Sequence, residues 1–269
     1  MTSGTLIARV APPSLGGRRA ARIVERNLMV YRRGWLILAS GFLEPVFYLF
    51  SIGVGLGELV GDVVLADGST VPYTAFVAPA LLAASSMNGA VYESTFNIFF
   101  KLKYDKAYDA MLATPMQPGD IAIGEITWSL FRGALYATGF VVVMLAMGLA
   151  RSPLTVLALP AAILIGFAFA AVGMAATTFM KSWQHFDLVQ LVTLPLFLFS
   201  ATFYPLEVYP EWLQTVTQFS PLFHGVELIR AFTLGTVDIS AAGHAAYLLV
   251  MGVAGLSVVA RRLEKLLLA

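Results

Sequence analysis

The sequence predicts an all-α polytopic membrane protein with six transmembrane helices. Three observations carry that expectation. Of 269 residues, 58% are hydrophobic and only 12% charged, with a mean hydropathy of +0.79; a soluble domain carries about 25% charged residues. Apolar runs recur near 35–57, 73–100, 121–149, 153–180, 186–204 and 241–260, and a bilayer core takes roughly 20 such residues per helix. The basic residues fall almost entirely on one side of the layer that these runs define.

Arg9, Arg18, Arg19, Arg22, Arg26, Arg32 and Arg33 precede the first run, and Lys101, Lys103 and Lys106 follow the second. Lys181 follows the fourth, while Arg261, Arg262 and Lys265 follow the sixth. Those are fourteen of the seventeen bases; Arg151 and Arg230 fall on the other side and Arg132 lies within the third run. Cytoplasmic loops carry the Lys/Arg excess. Both termini and the 101–120 elbow are therefore expected to face the cytoplasm.

Taken in order, residues 1–17 read as a disordered lead broken by Pro12, Pro13, Gly16 and Gly17. The remainder, 18–269, reads as one transmembrane domain. Residues 18–33 alternate bases with Ile23, Val24, Leu28, Met29 and Val30, which suits either a helix in the cytoplasmic headgroup layer or a plain basic anchor for the first span. The 58–72 connection carries Glu58, Asp62 and Asp67 and no base. Residues 101–120, KLKYDKAYDAMLATPMQPGD, form a charged elbow between two long apolar runs, a candidate docking surface. Residues 205–240 are too polar to span and too apolar for an ordinary loop. Pro205, Pro210 and Pro221 divide them into short amphipathic helices at 210–219 and 222–233, with Glu227 and Arg230 on the second. Trp212, Phe219, Phe223 and Phe232 suit a membrane interface. Two interfacial or re-entrant external half-helices, or an external cap, fit this pattern.

Chemistry is scarce. No GxxxxGK[ST] loop and no Gly-Lys pair occurs, nor a GxGxxG fingerprint, so any ATP that drives this chain is bound by another. There are no cysteines, which excludes disulfides, thiolate metal sites and Cys nucleophiles. His185, His224 and His244 show no metal-ligand spacing and read as interfacial or loop residues. No catalytic residue is assigned, and neither composition nor net charge points to nucleic acid.

Intramembrane charge is more telling, because a mid-helix charge costs at least roughly 2.5–3.5 kcal/mol. Glu44, before Pro45, sits within the first run. Glu93 lies about 12 Å from the elbow end of the second run, and Arg132 about 10 Å from the same end of the third, by helical rise. Adjacent antiparallel spans would bring Glu93 and Arg132 to similar depth, where they pair or Arg132 snorkels alone. Asn88, Ser85 and Ser86 add polarity that either lines a conduit or bonds neighbouring helices.

Three stretches carry a family resemblance: KYDKAYDAMLATPMQPGDIAIGEITW in the elbow, PLFLFSATFYPLEVYPEWLQTVTQFSPLFHGVELIR late in the chain, and FLEPVFYLFSIGVGLG in the first run. The chain resembles ABC-2-type transporter permeases from about residue 20 onward, in the nodulation-type lipo-oligosaccharide exporter branch close to the daunorubicin-resistance permeases. The resemblance implies a half-transporter of the bacterial inner membrane that dimerises with a second copy or a paralogue. It implies pairing with two separate ATPase subunits, which hold ATP and Mg, and export of an amphiphile such as a lipid-linked oligosaccharide, lipid or hydrophobic drug. This chain then binds no cofactor itself. Dimer contacts through spans 1 and 5 and a path lined by spans 1, 2 and 5 follow from the same resemblance. So do an N-terminal connecting helix, a coupling helix in the elbow and external re-entrant helices.

Tyr104, Asp105, Met111, Leu112, Thr114 and Pro115 match the family's coupling motif, followed by Gly124 and Glu125; Lys106 and Tyr108 depart from it and receive no assigned contact. A docking helix needs an apolar knob in a polar surround. Ala107, Ala110, Met111 and Leu112 would supply it beside Asp105, Lys106 and Asp109, with Thr114-Pro115 ending the helix. A lipid-modifying membrane enzyme would need a catalytic constellation that the sequence lacks. A secondary transporter would show repeated halves, and none is evident.

Overall fold

The computed structural model describes residues 17–32, 43, 46–65 and 68–267. Expectations for the lead before residue 17, and for Glu44 and Pro45, lie outside these residues. The chain runs α1 (Gly17–Arg32), α2 (Val46–Val60), β1 (Asp62–Val64), β2 (Thr70–Pro72), α3 (Tyr73–Lys103) and α4 (Ala107–Leu112). It continues with α5 (Pro118–Ala146), α6 (Pro153–Thr177), α7 (Phe186–Phe199), α8 (Glu211–Gln218), α9 (Pro221–Leu234) and α10 (Ile239–Leu267).

Among the described residues, α3, α5, α6 and α10 are long and apolar enough to cross a membrane. The protein is an all-α polytopic membrane protein. The first expected span is represented by α2, and the fifth by α7. At 14 residues, α7 reaches about 21 Å, short of the roughly 30 Å hydrocarbon core and of the 186–204 run. The chain leaves the helix at Ser200, and Ala201 adopts φ +53°. Two partners hold the exit open: Thr217 Oγ1 donates to Phe199 O at 2.9 Å, and Arg230 Nη2 donates to Ala201 O at 2.9 Å. The 58–72 connection also departs from expectation. β1 and β2 form an antiparallel hairpin in which Val63 faces Val71, both buried.

Small residues let the central helices approach. α3 and α6 bury many alanines against each other and against Leu222, Val226 and Ile229 of α9, the close packing expected where no hydrophobic drive separates helix from lipid. A second core closes the elbow end. There Ile23 of α1, Tyr108 of α4, Ile121 and Ala122 of α5, Met174 of α6 and Leu263 of α10 pack together. The end of α10 and α1 therefore lie at the same end of the bundle as the elbow.

α3 is not uniformly α-helical: residues Glu93–Asn97 form a π turn. Such turns widen the helix and frequently mark functional positions. α6 accommodates this one. Gly173 faces it so closely that an added Cβ would lie 2.2 Å from Ser94 Oγ, while Thr177 Oγ1 donates to Ser94 O at 3.0 Å.

Candidate functional site

An open cleft of about 920 Å³ lies between α2, α3, α5 and α7, with Tyr48, Asn88, Glu93, Arg132, Gln190 and Phe197 among its lining. The π turn places Glu93 at its elbow-end floor. Glu93 is buried and forms an ion pair with Arg132 Nη1. Around that pair, Arg132 Nη1 donates to Tyr31 Oη at 3.1 Å and Nη2 to Tyr136 Oη at 3.0 Å, while Asn97 Nδ2 donates to Glu93 Oε1 at 2.5 Å. The guanidinium also lies 4.8 Å over the Tyr31 ring. Arg132 is thus held by a network and does not reach alone toward headgroups. Asn88 and Ser85 face the cleft. Ser86 does not: its hydroxyl turns back to Leu82 O at 2.8 Å.

The sequence reading did not single out Asn97, Tyr136 or Tyr31 for this network. The first two sit four residues after Glu93 and Arg132, so helical spacing carried a signal. Tyr31 comes from α1, about a hundred residues away in sequence, and no local pattern announces it.

Below the cleft the elbow is anchored by a second buried charge. Glu125 in the second turn of α5 accepts from Lys101 Nζ at 2.8 and 3.0 Å, Asn27 Nδ2 at 3.2 Å and Tyr108 Oη at 3.3 Å. One carboxylate ties together α1, α3, α4 and α5. At 2% exposure, the Glu125 carboxylate faces into the bundle and clamps the elbow from within. Tyr108, to which no contact was assigned, is the residue that plugs α4 into the bundle. Burial, and then the Glu125 carboxylate, push its phenol well above the ordinary tyrosine value. α1 meets α5 where Gly124 leaves room; an added Cβ there would lie 2.7 Å from Ile23 Cβ.

The outer face of the elbow is formed by Tyr104, Asp105, Lys106, Asp109, Ala110, Thr114 and Pro115, all exposed. Met111 and Leu112 lean partly on the elbow core, so only Ala110 of the expected knob is fully exposed. Lys106 caps α4 in the left-handed region at φ +48°. Thr114 Oγ1 closes the helix end on Met111 O at 2.5 Å. Gln117 N donates to Asp120 Oδ2 at 3.0 Å, with Pro118 opening α5.

At the opposite end, both expected short helices form as α8 and α9, with Pro205 and Pro210 preceding helical turns and Pro221 in the first turn of α9. Trp212 and Phe219 are exposed, whereas Phe223 is buried within the bundle rather than at an interface. Arg230 pairs with Glu227 at 2.5 Å and lies 3.9 Å over the Phe76 ring. His224 and His244, which show no metal-ligand spacing in the sequence, come together: their Nδ1 atoms meet at 2.7 Å between α9 and α10, with Tyr247 stacked 3.9 Å from His224. Among the described residues, no group of three or more potential metal ligands forms.

Similarity to known proteins agrees with this arrangement. The profile described as "ABC-2 type transporter" matches residues 20–234. "Nodulation protein J" of Rhizobium leguminosarum bv. viciae is 35% identical over 84% of this chain and 86% of its own length. The protein of the same name in R. leguminosarum bv. trifolii is 36% identical over 78% and 79%, and that of Sinorhizobium fredii 34% over 77% and 78%. With its helical bundle, elbow and cleft, the chain belongs to the ABC-2 type transporter family, as a membrane permease subunit.

Proposed function

We propose that this chain is the membrane-spanning permease of an ATP-driven exporter for an amphiphile, and that a separate ATPase docks on the 101–120 elbow. The observation that carries this reading is the elbow's two-sidedness. Its outer face offers Asp105, Lys106, Asp109 and Ala110, while its inner face is fastened to three other helices through Tyr108 and Glu125. A surface that only capped the bundle would need no such clamp. A surface that transmits a push needs both an exposed face and a stiff connection.

In this scheme two permease copies, or this chain and a paralogue, pair with two ATPase subunits that hold ATP and Mg. Closure of the ATPases moves each elbow and, through α3 and α5, reshapes the cleft between α2, α3, α5 and α7. Both termini and the elbow lie in the cytoplasm; α8 and α9 form re-entrant helices on the outer side. The proposed cargo is a lipid-linked oligosaccharide or related amphiphile, in keeping with the sequence resemblance and with relatives named "Nodulation protein J". The test is co-purification with a co-expressed ATPase of the same transport system, followed by ATP turnover in the presence of candidate amphiphiles. Failure of any such ATPase to associate, or of any amphiphile to change turnover, would defeat the proposal.

A further inference from the structure

Two buried ion pairs join α3 to α5: Glu93 to Arg132 at the cleft, and Lys101 to Glu125 beside the elbow. Their spacings differ. Glu125 and Arg132 are seven residues apart on α5, whereas Glu93 and Lys101 are eight apart on α3. At about 100° per residue, seven residues return to the same face of a helix within roughly 20°, but eight leave the two side chains roughly 80° apart. A continuous α-helix would turn one of the two away from α5. The π turn at Glu93–Asn97 falls in this interval and takes up one extra residue, which brings both charges onto the face that α5 meets.

The turn is supported from α6. Ser94 and Thr95 are buried, so bulk water does not complete the backbone bonding that a widened turn leaves open. Thr177 Oγ1 supplies a donor to Ser94 O at 3.0 Å and stands 2.9 Å from Gly173 O on its own helix. A hydroxyl carries one proton, so this donor serves α3 or returns to α6. If the turn rewinds to α, Ser94 O regains a backbone partner and Thr177 keeps Gly173 O. Neither arrangement strands a buried polar group. Gly173 leaves the room that the turn needs, since an added Cβ would collide with Ser94 Oγ.

We propose that the Glu93–Asn97 π turn is a register joint with two settings. Wound as a π turn, it holds the cleft pair and the elbow pair to α5 together; rewound to α, it keeps Lys101 on Glu125 and swings Glu93 off Arg132. Thr177 is the positioning residue that favours the π setting. For its use the inference rests on the exporter reading, in which a displaced elbow would part Glu93 from Arg132 and change the charge that faces the cleft.

Deleting Ser94 restores a seven-residue spacing and makes the joint a continuous α-helix, whereas Thr177→Val removes the donor and Thr177→Ser keeps it. The Glu93–Arg132 coupling is read without ATPase, from a double-mutant cycle of Glu93→Ala and Arg132→Ala under chemical denaturation of the full chain in detergent. Thr177→Val is expected to weaken that coupling by roughly threefold to tenfold in equilibrium constant, about the contribution of one hydrogen bond, and Thr177→Ser to preserve it. In the chain lacking Ser94 the coupling should persist and Thr177→Val should no longer affect it, which a general packing role for Thr177 would not produce. An unchanged coupling in Thr177→Val, an equal effect of that change with and without Ser94, or failure of the deleted chain to fold with the pair intact would each overturn the joint. With a co-purified ATPase, the deleted chain should keep the association but lose the change in ATP turnover caused by amphiphile; a full response would also overturn it. A wild-type chain that recruits no ATPase would defeat the exporter reading and leave the coupling, measured without ATPase, to decide the joint.

Discussion

Glu93 and Arg132 are held inside apolar helices chiefly because each cancels the other's charge, with Tyr31, Tyr136 and Asn97 bonded around the pair. Removing one partner of a buried pair leaves an uncompensated charge and costs about 3–5 kcal/mol, although replacing both together is often tolerated. Glu93→Ala and Arg132→Ala should therefore each lower the stability of the detergent-solubilised chain by about that amount, and the double variant should lose less than their sum, as read by chemical denaturation in a double-mutant cycle. Strict additivity would dissolve the pair. Tyr108 allows a finer cut. Tyr108→Phe removes only a hydroxyl bonded to Glu125, a loss of about 1–3 kcal/mol because it strips one donor from a buried acceptor. Tyr108→Ala also empties a fully buried ring site, and its cost should reach about 3–5 kcal/mol. The depth of Glu93 and Arg132 was legible from helical rise alone, since both lie on long uninterrupted apolar runs. Asn27, Tyr31 and Tyr108 were not, because their partners lie on other elements and nothing in sequence spacing links them.

At the scale of the element, α4 is the clearest dependency. A six-residue helix cannot hold itself in water, so the elbow keeps its shape through Tyr108 inside and through α1 beside it. Gly124→Ala should push α1 off α5, because the new methyl would meet the Ile23 side chain and the Ala20 carbonyl. Overpacking of this kind costs about 1–3 kcal/mol, and the loosened α1 should show as faster proteolysis within 17–32. Docking makes a different demand. Asp105→Lys and Asp109→Lys alter only exposed positions, so folding should be unchanged while ATPase co-purification falls. Retention of the ATPase by the double reversal would exclude these acids from the contact. The extents of α3, α5 and α6 were readable because length and hydropathy are local properties. The shortening of α7 was not, since Thr217 and Arg230 capture its end from elements that follow it.

The whole molecule raises the question of side. The chain has no cysteine, so single introduced thiols report topology without background. Asp238→Cys, exposed before α10, should react with a membrane-impermeant thiol reagent in spheroplasts; Asp105→Cys should react only after the membrane is opened. The reverse pattern would invert the proposed orientation. Sequence by itself determined the membrane class, the positions of the long helices, the elbow and the paired short helices before the last span, because hydrophobic run length and the breaks made by proline are written locally. Tertiary structure alone decided that Glu125 gathers Lys101, Asn27 and Tyr108 around it, that His224 meets His244, and that α1 reaches Arg132 through Tyr31. A buried polar group must find its partner wherever packing brings one within reach, and that distance is set by how helices meet in space.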